Sequence, residues 1–546
     1  MAVKTVAVET DNQDVQRPWD EGAPLTDWSA FPQCYALLLN QRLACPQNMS
    51  LWRMKIDTTR QLFVDDYLIG HMANLKRTCH EAKDHPANPL MPGGWCHYFA
   101  PDPEHGLRMY YMGKGSTQSV AFSSDGLNWE RPELNVFDLS TIPAESFAGG
   151  PNNVVCNQQM HGMFHEPDDP DPLQRWKAIV RTTKGRPTWP HAQEEFGISE
   201  IQAYVLITSP DGLRWSYKQD TCLVTSGGPV GINYRAPYQL PIGVGDVLQV
   251  QRDPKAGKYI ANVKGTIGPD LRLTDVYHCG RSIAMCESDD LIHWSTPRYY
   301  AYPDTVDAKT PGMYGVYEAN AFPYESMWFN CLSMTSYDPA TPEIRREKNL
   351  EPNRPYLKRN WIRPAASRDG RHFYYFGDRT SLISPGDDGS WKPHYLRVAN
   401  MVNIGGPLVK DDELWFYHLG NSIDGPKRTW NIAFGVATLR RDGFASLDAG
   451  DEPGVVITRP MVFEGEGKLF VNVDVAANGH ARASVIEESG EPIDGFGEED
   501  CVAVTDDKTR AALHWKSNQT LAPLKDRYVR VAFHLNNARL YAFWIE

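Results

Sequence analysis

Apolar residues in this chain come in short runs, and each run ends at a turn that contains aspartate, usually followed by glycine. Residues 119–122, 204–207 and 281–285 are runs of this kind. An Asp-Gly pair after such a run is a strong signal for a β-hairpin, because glycine accepts a positive φ and aspartate hydrogen-bonds its own backbone. The pattern predicts an all-β fold.

This turn recurs at a nearly constant spacing. Its first copy is residues 124–129 (S-D-G-L-N-W), and the later copies, the last of them degenerate, place their aspartates at 211, 290, 369 and 442. Starting from Asp125, the spacings are 86, 79, 79 and 73 residues. A fixed period is the sequence signature of a repeat architecture. Five units of similar length follow.

A second turn precedes each copy of the first. Residues 102–106 (D-P-E-H-G) and 253–257 (D-P-K-A-G) are its clearest examples. Two hairpins per unit make a four-stranded antiparallel sheet, and five such sheets arranged radially make a five-bladed β-propeller. A blade needs about 40 residues, so each unit also holds long loops, which are usually functional.

The two ends of the chain do not share this period. Residues 1–57 match no repeat and are assigned to an N-terminal extension, and residues 58–450 to the propeller. The run 61–69 precedes the first unit, so we expect it to close the ring by joining the last blade. Beyond Asp442, short alternating runs with turns such as Asn478-Gly479 predict a β-sandwich over residues 451–546.

Charge and composition limit the possible partners. The chain has 546 residues, of which 55 are basic and 68 acidic, giving a net charge of −13. Nucleic acid and anionic membrane surfaces are poor partners for such a chain, and no apolar run approaches the roughly 20 residues of a membrane span. A small neutral ligand fits better, and the oligomeric state stays open.

The ten cysteines are scattered without a C-x-x-C pair, which favours reduced thiols over a disulfide framework. Because no basic segment followed by an apolar one stands at the N-terminus, we expect a cytoplasmic protein. The sequence has no H-E-x-x-H, H-x-H or thiolate cluster. It therefore predicts neither a metal site nor a cofactor.

These features together resemble a known group of proteins. A five-bladed propeller with the run 62–69 (L-F-V-D-D-Y-L-I), repeated S-x-D-G-x-x-W turns and a C-terminal sandwich is similar to the glycoside hydrolase family 32-like superfamily, which is related to families 32, 43, 68 and 130. The resemblance covers residues 58–546. It implies a glycosidase with acidic residues in the central funnel and a small carbohydrate substrate.

The motifs of family 32 do not transfer to this chain. That family carries its three acids in N-D-P-N, R-D-P and E-C motifs. This chain has no N-D-P-N, its Arg252-Asp253-Pro254 lies at the recurrent second turn, and Cys286-Glu287 reverses E-C. We therefore interpret the R-D-P match as structural and look for the acids by position.

Acidic residues occur near the starts of two predicted inner strands, which point into the funnel of a propeller. Asp246 and Glu318 take equivalent places in blades three and four. An acid on an apolar strand is costly unless it faces solvent or a partner, and the alternative role is capping of a backbone amide. Asp66 is the candidate third acid, with hydrogen bonding at ring closure as its alternative role.

Aromatic and imidazole groups fall at the same level. Trp95 is a candidate sugar-stacking platform, and His97 and His161 are candidate hydroxyl-binding groups, with a buried structural role as the alternative. Tyr317, beside Glu318, is assigned to substrate binding, and its apolar ring is expected to raise the pKa of that acid.

Hydrolysis of a glycoside needs a protonated carboxylic acid and a second carboxylate that acts as nucleophile or base. We expect Glu318 to be the acid, because its longer stem reaches the glycosidic oxygen, and Asp246 to be its partner, although the roles can be exchanged. The resemblance implies a glycosidase for a fructosyl or arabinosyl linkage, and the long loops favour an exo-acting enzyme on a short substrate. The alternatives are a non-catalytic carbohydrate-binding propeller, which turnover of aryl glycosides would distinguish, and a sialidase-like or phosphorylase-type enzyme.

Overall fold

The structure is a computed structural model and describes most of the chain after residue 52. The described residues are 53–113, 117–142, 144, 150–182, 203–224, 247–266, 281–295, 297–303, 307, 313–339, 356–377, 379–424 and 429–546. Their helical elements are three short 3-10 turns, at Leu139–Thr141, Pro172–Gln174 and Ala522–Leu524. Within these ranges, no helix has the length and apolar character needed to cross a membrane.

Strands make up the rest of the regular structure. The N-terminal strands are β1 (Met54–Ile56), β2 (Gln61–Leu62), β3 (Ile69–Ala73), β4 (Lys76–Cys79), β5 (Lys83–Asp84) and β6 (Met91–Pro92). The next eight are β7 (Trp95–Asp102), β8 (Gly106–Met112), β9 (Gln118–Ser123), β10 (Val154–Cys156), β11 (Met160–His165), β12 (Trp176–Thr182), β13 (Ala203–Ser209) and β14 (Ser216–Val224).

The middle of the chain continues in the same way. It holds β15 (Leu248–Arg252), β16 (Tyr259–Thr266), β17 (Arg281–Ser288), β18 (Arg298–Ala301), β19 (Met313–Tyr324), β20 (Met327–Pro339), β21 (Tyr356–Ser367) and β22 (Tyr374–Tyr375). Then come β23 (Tyr395–Val398), β24 (Asn400–Met401), β25 (Leu408–Lys410), β26 (Glu413–Asp424) and β27 (Thr429–Arg440). The last six are β28 (Ala445–Ala449), β29 (Gly454–Thr458), β30 (Met461–Phe463), β31 (Leu469–Glu487), β32 (Lys508–Leu513) and β33 (Val529–Ile545).

Strands β7 to β27 pair as antiparallel units. We call β7–β10, β11–β14, β15–β18, β19–β22 and β23–β27 units 1 to 5. The first strands of successive units lie side by side, since β11 pairs in parallel with β15 through Gly162 and Val250. Strand β24 of unit 5 pairs in parallel with β7 of unit 1, through Asn400 and Tyr98. The last unit thus meets the first, and the predicted all-β propeller class is confirmed.

The ring is closed by a segment other than the expected one. The outer edge of unit 5 is completed by β5 and β6, which pair antiparallel with β27. The run 61–69, which we expected to close the ring, has only two residues in β2, and these pair with Phe543 and Ala542 of β33. Turns follow over residues 63–68. The reason is that the side chains of this run serve two cores, one on each side.

The two cores meet at this run. Leu62 and Val64 are buried with the apolar side chains of units 4 and 5. Phe63 points the other way and packs against Phe533 and Phe543, with ring centroids 6.3 Å and 5.7 Å away. Three consecutive apolar residues thus join the propeller to the C-terminal sheet.

That C-terminal sheet extends beyond the residues assigned to it from the sequence. Its strands are β1, β2, β3, β4 and β28 to β33. Strand β28 lies before residue 450 and β29 after it, and both pair with β33. The proposed boundary near residue 450 therefore falls inside one continuous sheet, and so does much of the segment 53–79. The sheet surrounds an apolar core of its own that includes Trp515 and Phe496.

The repeated Asp-Gly turns share one hydrogen-bonding scheme. In the first copy, the Asp125 carboxylate accepts hydrogen bonds from the backbone N–H groups of Leu127 and Asn128, both at 2.8 Å. The Ser123 hydroxyl accepts one from the N–H of Gly126 at 2.8 Å. These bonds satisfy backbone donors outside the strand ladders and hold the pKa of Asp125 below its usual range. The scheme recurs at Asp211, Asp290 and Asp369.

The turns of units 1 and 2 also pack on the unit before them in the ring. Gly212 of unit 2 lies against Tyr110 of unit 1, whose hydroxyl donates to the Gly212 carbonyl at 3.1 Å. Gly126 of unit 1 has the same relation to Tyr417 of unit 5, at 3.0 Å. A Cβ on either glycine would lie within 2.6 Å of the tyrosine oxygen. The repeat therefore sets the packing between units as well as the turn itself.

Candidate active site

Glu318 lies on the first strand of unit 4 and is almost completely buried, with 1% of its surface exposed. Its Oε1 accepts a hydrogen bond from Arg397 Nε at 2.7 Å and another from Gln249 Nε2. Its Oε2 has no hydrogen-bond partner among the described residues. Burial raises the pKa of Glu318, and Arg397 and Gln249 oppose that rise only in part. A carboxyl group in this setting keeps its proton to higher pH than an exposed one does.

The partners of Glu318 belong to a network that spans the ring. Gln249 of unit 3 accepts hydrogen bonds at its Oε1 from the Tyr98 hydroxyl and from Asn400 Nδ2, both at 2.9 Å. Asn400 of unit 5 also donates to Asn320 Oδ1 at 3.0 Å. All four are buried. Side chains from units 1, 3, 4 and 5 are thereby held in one arrangement around Glu318.

His97 extends the network on the side of unit 1. Its Nε2 lies 3.4 Å from Arg397 Nη1, and its Nδ1 lies 3.2 Å from Gln118 Oε1. Because the arginine can only donate, Nε2 accepts and Nδ1 carries the hydrogen. Burial and the charge of Arg397 lower the pKa of His97 well below its usual value. The imidazole is therefore neutral.

Three first strands carry a β-bulge at this level. The pairing register shifts between Cys96 and Tyr98, between Met160 and Gly162, and between Val316 and Glu318. The residues left without a partner in the ladder are His97, His161 and Tyr317. Bulges re-aim side chains and are over-represented beside active sites. Three of the four residues predicted to bind substrate thus stand at matching irregularities of units 1, 2 and 4.

The environments of these residues differ. His161 is buried, with its Nδ1 3.2 Å from the carbonyl oxygen of Leu248 and its ring edge-on to Tyr204. The ring of Tyr317 lies 4.8 Å from both Lys264 Nζ and Arg281 Cζ, measured to its centroid. Cations at this distance from an aromatic face are attracted to it. The Tyr317 side of the site is therefore cationic.

The structure also places the remaining predicted residues. Trp95 is half-buried at the start of β7. Asp66 lies in the turn after β2, with half of its side chain exposed, and pairs with Arg77, so it does not join the network of Glu318. The reason is that residues 63–68 are turns at the joint between propeller and C-terminal sheet. Asp246 lies outside the described residues.

The R-D-P tripeptide is structural, as predicted. Asp253 accepts hydrogen bonds from the N–H groups of Lys255 and Ala256 at 2.9 Å and 3.1 Å, and its other oxygen accepts one from Arg371 at 2.8 Å. Asp102 caps the equivalent turn of unit 1 in the same way. A carboxylate engaged by its own turn is not directed at a ligand.

Arg397 and Gln249 were not identified from the sequence. Arg397 stands between Leu396 and Val398, both buried, on the first strand of unit 5. A charged residue between apolar neighbours on an inner strand is the signal that identified Glu318, and it was present in unit 5 as well. Across the residues that the structure covers, no group of three or more histidine, cysteine, aspartate or glutamate side chains is arranged to hold a metal ion.

No protein-family model matches this chain, and no curated protein matches it. Solved structures do align with it. A Bombyx mori GH32 β-fructofuranosidase is 10% identical, with 86% of this chain and 94% of that chain covered and a TM-score of 0.36. A Bacillus subtilis GH43 arabinoxylan arabinofuranohydrolase is 9% identical, with 85% and 99% covered and a TM-score of 0.34.

An N-acetylgalactosamine deacetylase from F. plautii is 13% identical, with 68% of this chain and 97% of that chain covered and a TM-score of 0.36. The first two proteins carry the names of families 32 and 43, which the sequence features resemble. At these identities and TM-scores, the similarity assigns no residue role and no activity to this chain.

Proposed function

We propose that this chain is a glycoside hydrolase and that Glu318 is its general acid. The observation that carries the proposal is a buried carboxyl group on an inner strand, with one oxygen held by two donors and the other without a partner among the described residues. A buried polar atom of this kind costs free energy in the fold. A role in donating a proton to a leaving group accounts for it.

The second carboxylate of the proposed reaction is Asp246. It stands two residues before β15, which carries Gln249, the direct partner of Glu318. It would act as nucleophile or as base for water. A separation of about 5 Å between the two carboxyl groups favours retention of configuration, and about 6.5–9.5 Å favours inversion.

The proposed substrate is a short glycan with a terminal fructosyl or arabinosyl residue, cleaved from its end. Trp95 is proposed as the stacking platform for a sugar ring, and Tyr317 as a second contact. His97 and His161 are engaged with protein groups, so we propose that they shape the site from behind. The specificity for a furanoside rests on the resemblance drawn from the sequence.

The first experiment is a screen of aryl furanosides, aryl pyranosides, and fructo- and arabino-oligosaccharides, with product analysis. Glu318→Gln is expected to lower kcat by roughly 10²-fold or more on a substrate whose leaving group needs protonation. It should lower kcat far less on a dinitrophenyl glycoside, whose leaving group departs without a proton. Equal losses on both substrates would remove Glu318 from the role of acid.

Two variants complete this experiment. Asp246→Asn should lower kcat on both kinds of leaving group, because a nucleophile or base is needed for each. Asp66→Asn is the matched control, a carboxylate changed to an amide at an exposed position away from the network, and it should retain full activity. Because Glu318→Gln also removes a partner of Arg397, its activity is compared well below its melting temperature.

A second candidate function is a carbohydrate-binding propeller without catalysis. The observation that favours it is the ion pair between Glu318 and Arg397, both less than 5% exposed. A structural role, in which the pair holds two inner strands together, is sufficient to explain it. In that case the protein binds an oligosaccharide in calorimetry but releases no product from any substrate of the screen. Turnover that is lost in both carboxylate variants excludes this candidate.

A further inference from the structure

The two oxygens of Glu318 differ in what surrounds them. Oε1 accepts hydrogen bonds from Arg397 Nε and Gln249 Nε2, and both of these atoms are N–H donors. A proton on Oε1 would point at one of these donors. A neutral carboxyl group therefore carries its hydrogen on the other oxygen, Oε2, which is buried and has no partner among the described residues.

Both donors to Oε1 are themselves held in place. Gln249 cannot rotate its amide freely, because its own oxygen accepts hydrogen bonds from Tyr98 and Asn400. Arg397 is fixed on its far side by the neutral imidazole of His97 at 3.4 Å. Side chains of unit 3 and unit 5 thus both donate hydrogen bonds to the same oxygen of Glu318.

We propose that Arg397 is a positioning residue, which with Gln249 confines the transferable proton of Glu318 to Oε2 and aims that oxygen at the substrate. This inference rests on the proposed function. In the reaction, the O–H bond at Oε2 breaks as the proton passes to the glycosidic oxygen, and the electrons of the glycosidic bond leave with that oxygen. The anomeric carbon forms its new bond to the second carboxylate or to a water that this carboxylate activates. The negative charge left on Glu318 is then stabilised by Arg397.

The ionisable groups that act on Glu318 include Arg397 on β23, Lys264 on β16 and Tyr98 on β7. His97 on β7 contacts Arg397. Burial lowers the pKa of His97 and raises the pKa of Tyr98, so both are neutral at ordinary pH. Arg397 and Lys264 remain as the cations, and Arg397 is the one in direct contact.

The test compares Arg397→Met with the unchanged protein in the pH profile of kcat/KM. Activity of a general acid is lost as pH rises through its pKa. Removing a cation in contact disfavours the ionised carboxylate, so the basic limb should move upward by about one pH unit or more. An unmoved limb in a variant that is folded and active would overturn the proposal.

Arg397→Lys gives a second test that does not depend on the folding of the methionine variant. Lysine keeps the charge but not the planar fork, so it cannot hold Glu318 and His97 together. We expect the basic limb to move little, kcat to fall about tenfold, and KM to stay within about twofold. A kcat equal to that of the unchanged protein would overturn the positioning role.

The failure of this proposal is distinguishable from failure of the proposed function. If the unchanged protein turns over no glycoside, the proposed function is wrong. The interaction between Arg397 and Glu318 is then tested by thermal unfolding instead. Arg397→Met should lower the melting temperature more in the unchanged background than in a Glu318→Gln background, because the second background has already changed the contact between these two side chains, and residues in contact do not contribute additively. Equal losses in the two backgrounds would show that the pair is not coupled.

Discussion

Asp442 is the aspartate of the fifth and degenerate copy of the repeat. We predict that it stabilises the contact between the propeller and the C-terminal sheet. It is completely buried. Its carboxylate accepts hydrogen bonds from Arg60 Nη1 at 2.5 Å, from the Tyr324 hydroxyl at 2.7 Å and from Asn472 Nδ2 at 2.8 Å. Arg60 and Asn472 belong to the C-terminal sheet region and Tyr324 to unit 4. One carboxylate therefore joins three distant segments.

The expected cost of Asp442→Ala is about 3–5 kcal/mol of unfolding free energy, because removal of one partner from a buried pair leaves an uncompensated charge. That charge is Arg60, whose side chain is 8% exposed and keeps the more distant carboxylate of Glu325, at 4.0 Å. Asp442→Asn keeps an acceptor for Tyr324 but loses the charge, so its cost should be smaller. The matched control is Asp125→Ala, the same residue of the first copy, where the donors that lose their acceptor all belong to the turn itself and the cost is about 1 kcal/mol.

The assay is urea unfolding, followed by circular dichroism and by tryptophan fluorescence. Trp544 is a useful reporter, since the Arg60 guanidinium lies 3.9 Å above its ring. In Asp442→Ala we expect the fluorescence transition to move to lower urea than in the control. A loss of stability no greater than that of Asp125→Ala would refute the reasoning that the fifth aspartate has changed its role.

Three further predictions concern stability and thiol chemistry. Gly370→Ala should lower the melting temperature, because φ there is 71° and a Cβ would lie 2.7 Å from the Trp328 ring; the positive φ alone costs about 1–2 kcal/mol, and an unchanged melting temperature would contradict this. Burial would raise the pKa of Asp65, but its ion pair with Arg368 outweighs burial and the pKa is lowered. The stability it contributes is therefore present above about pH 4 and lost as pH falls, so Asp65→Asn should show a smaller loss in urea midpoint between pH 5 and pH 3. Burial raises the pKa of Cys286 to about 12, so its thiol should resist Ellman's reagent in the native protein and react on denaturation.

The spacing of the aspartates predicted the propeller because the turn is a local device. Asp125 accepts hydrogen bonds from amides two and three residues away. All the residues of this turn are therefore neighbours in the sequence. The Asp-Gly pair at Asp442 has different contacts. There the carboxylate meets Arg60, 382 residues earlier in the chain, and no local pattern encodes a contact at that distance.

In the candidate site, too, local features could be predicted from the sequence and contacts between distant residues could not. Glu318 was identified because an acid within an apolar strand is conspicuous in the sequence. The two hydrogen bonds to its Oε1 come from Gln249 and Arg397, which lie 69 and 79 residues away in the sequence. These residues approach Glu318 only because the units close into a ring. Asp66 was placed by a strand period that ends after two residues, since the chain turns at the joint.

The joint between the two parts has a consequence for biosynthesis. Cys79 of β4 pairs with Ala445 of β28, and Met54 of β1 pairs with Met461 of β30, so the earliest strands find their partners only after the whole propeller has been made. At roughly 5–20 residues per second, β4 leaves the ribosome some 20–70 s before its partner. During that interval its edge is open to pairing with other chains. Nascent chains should therefore need a chaperone until the last hundred residues emerge, and a truncation at residue 450 should leave β1, β2 and β3 without their partner strands.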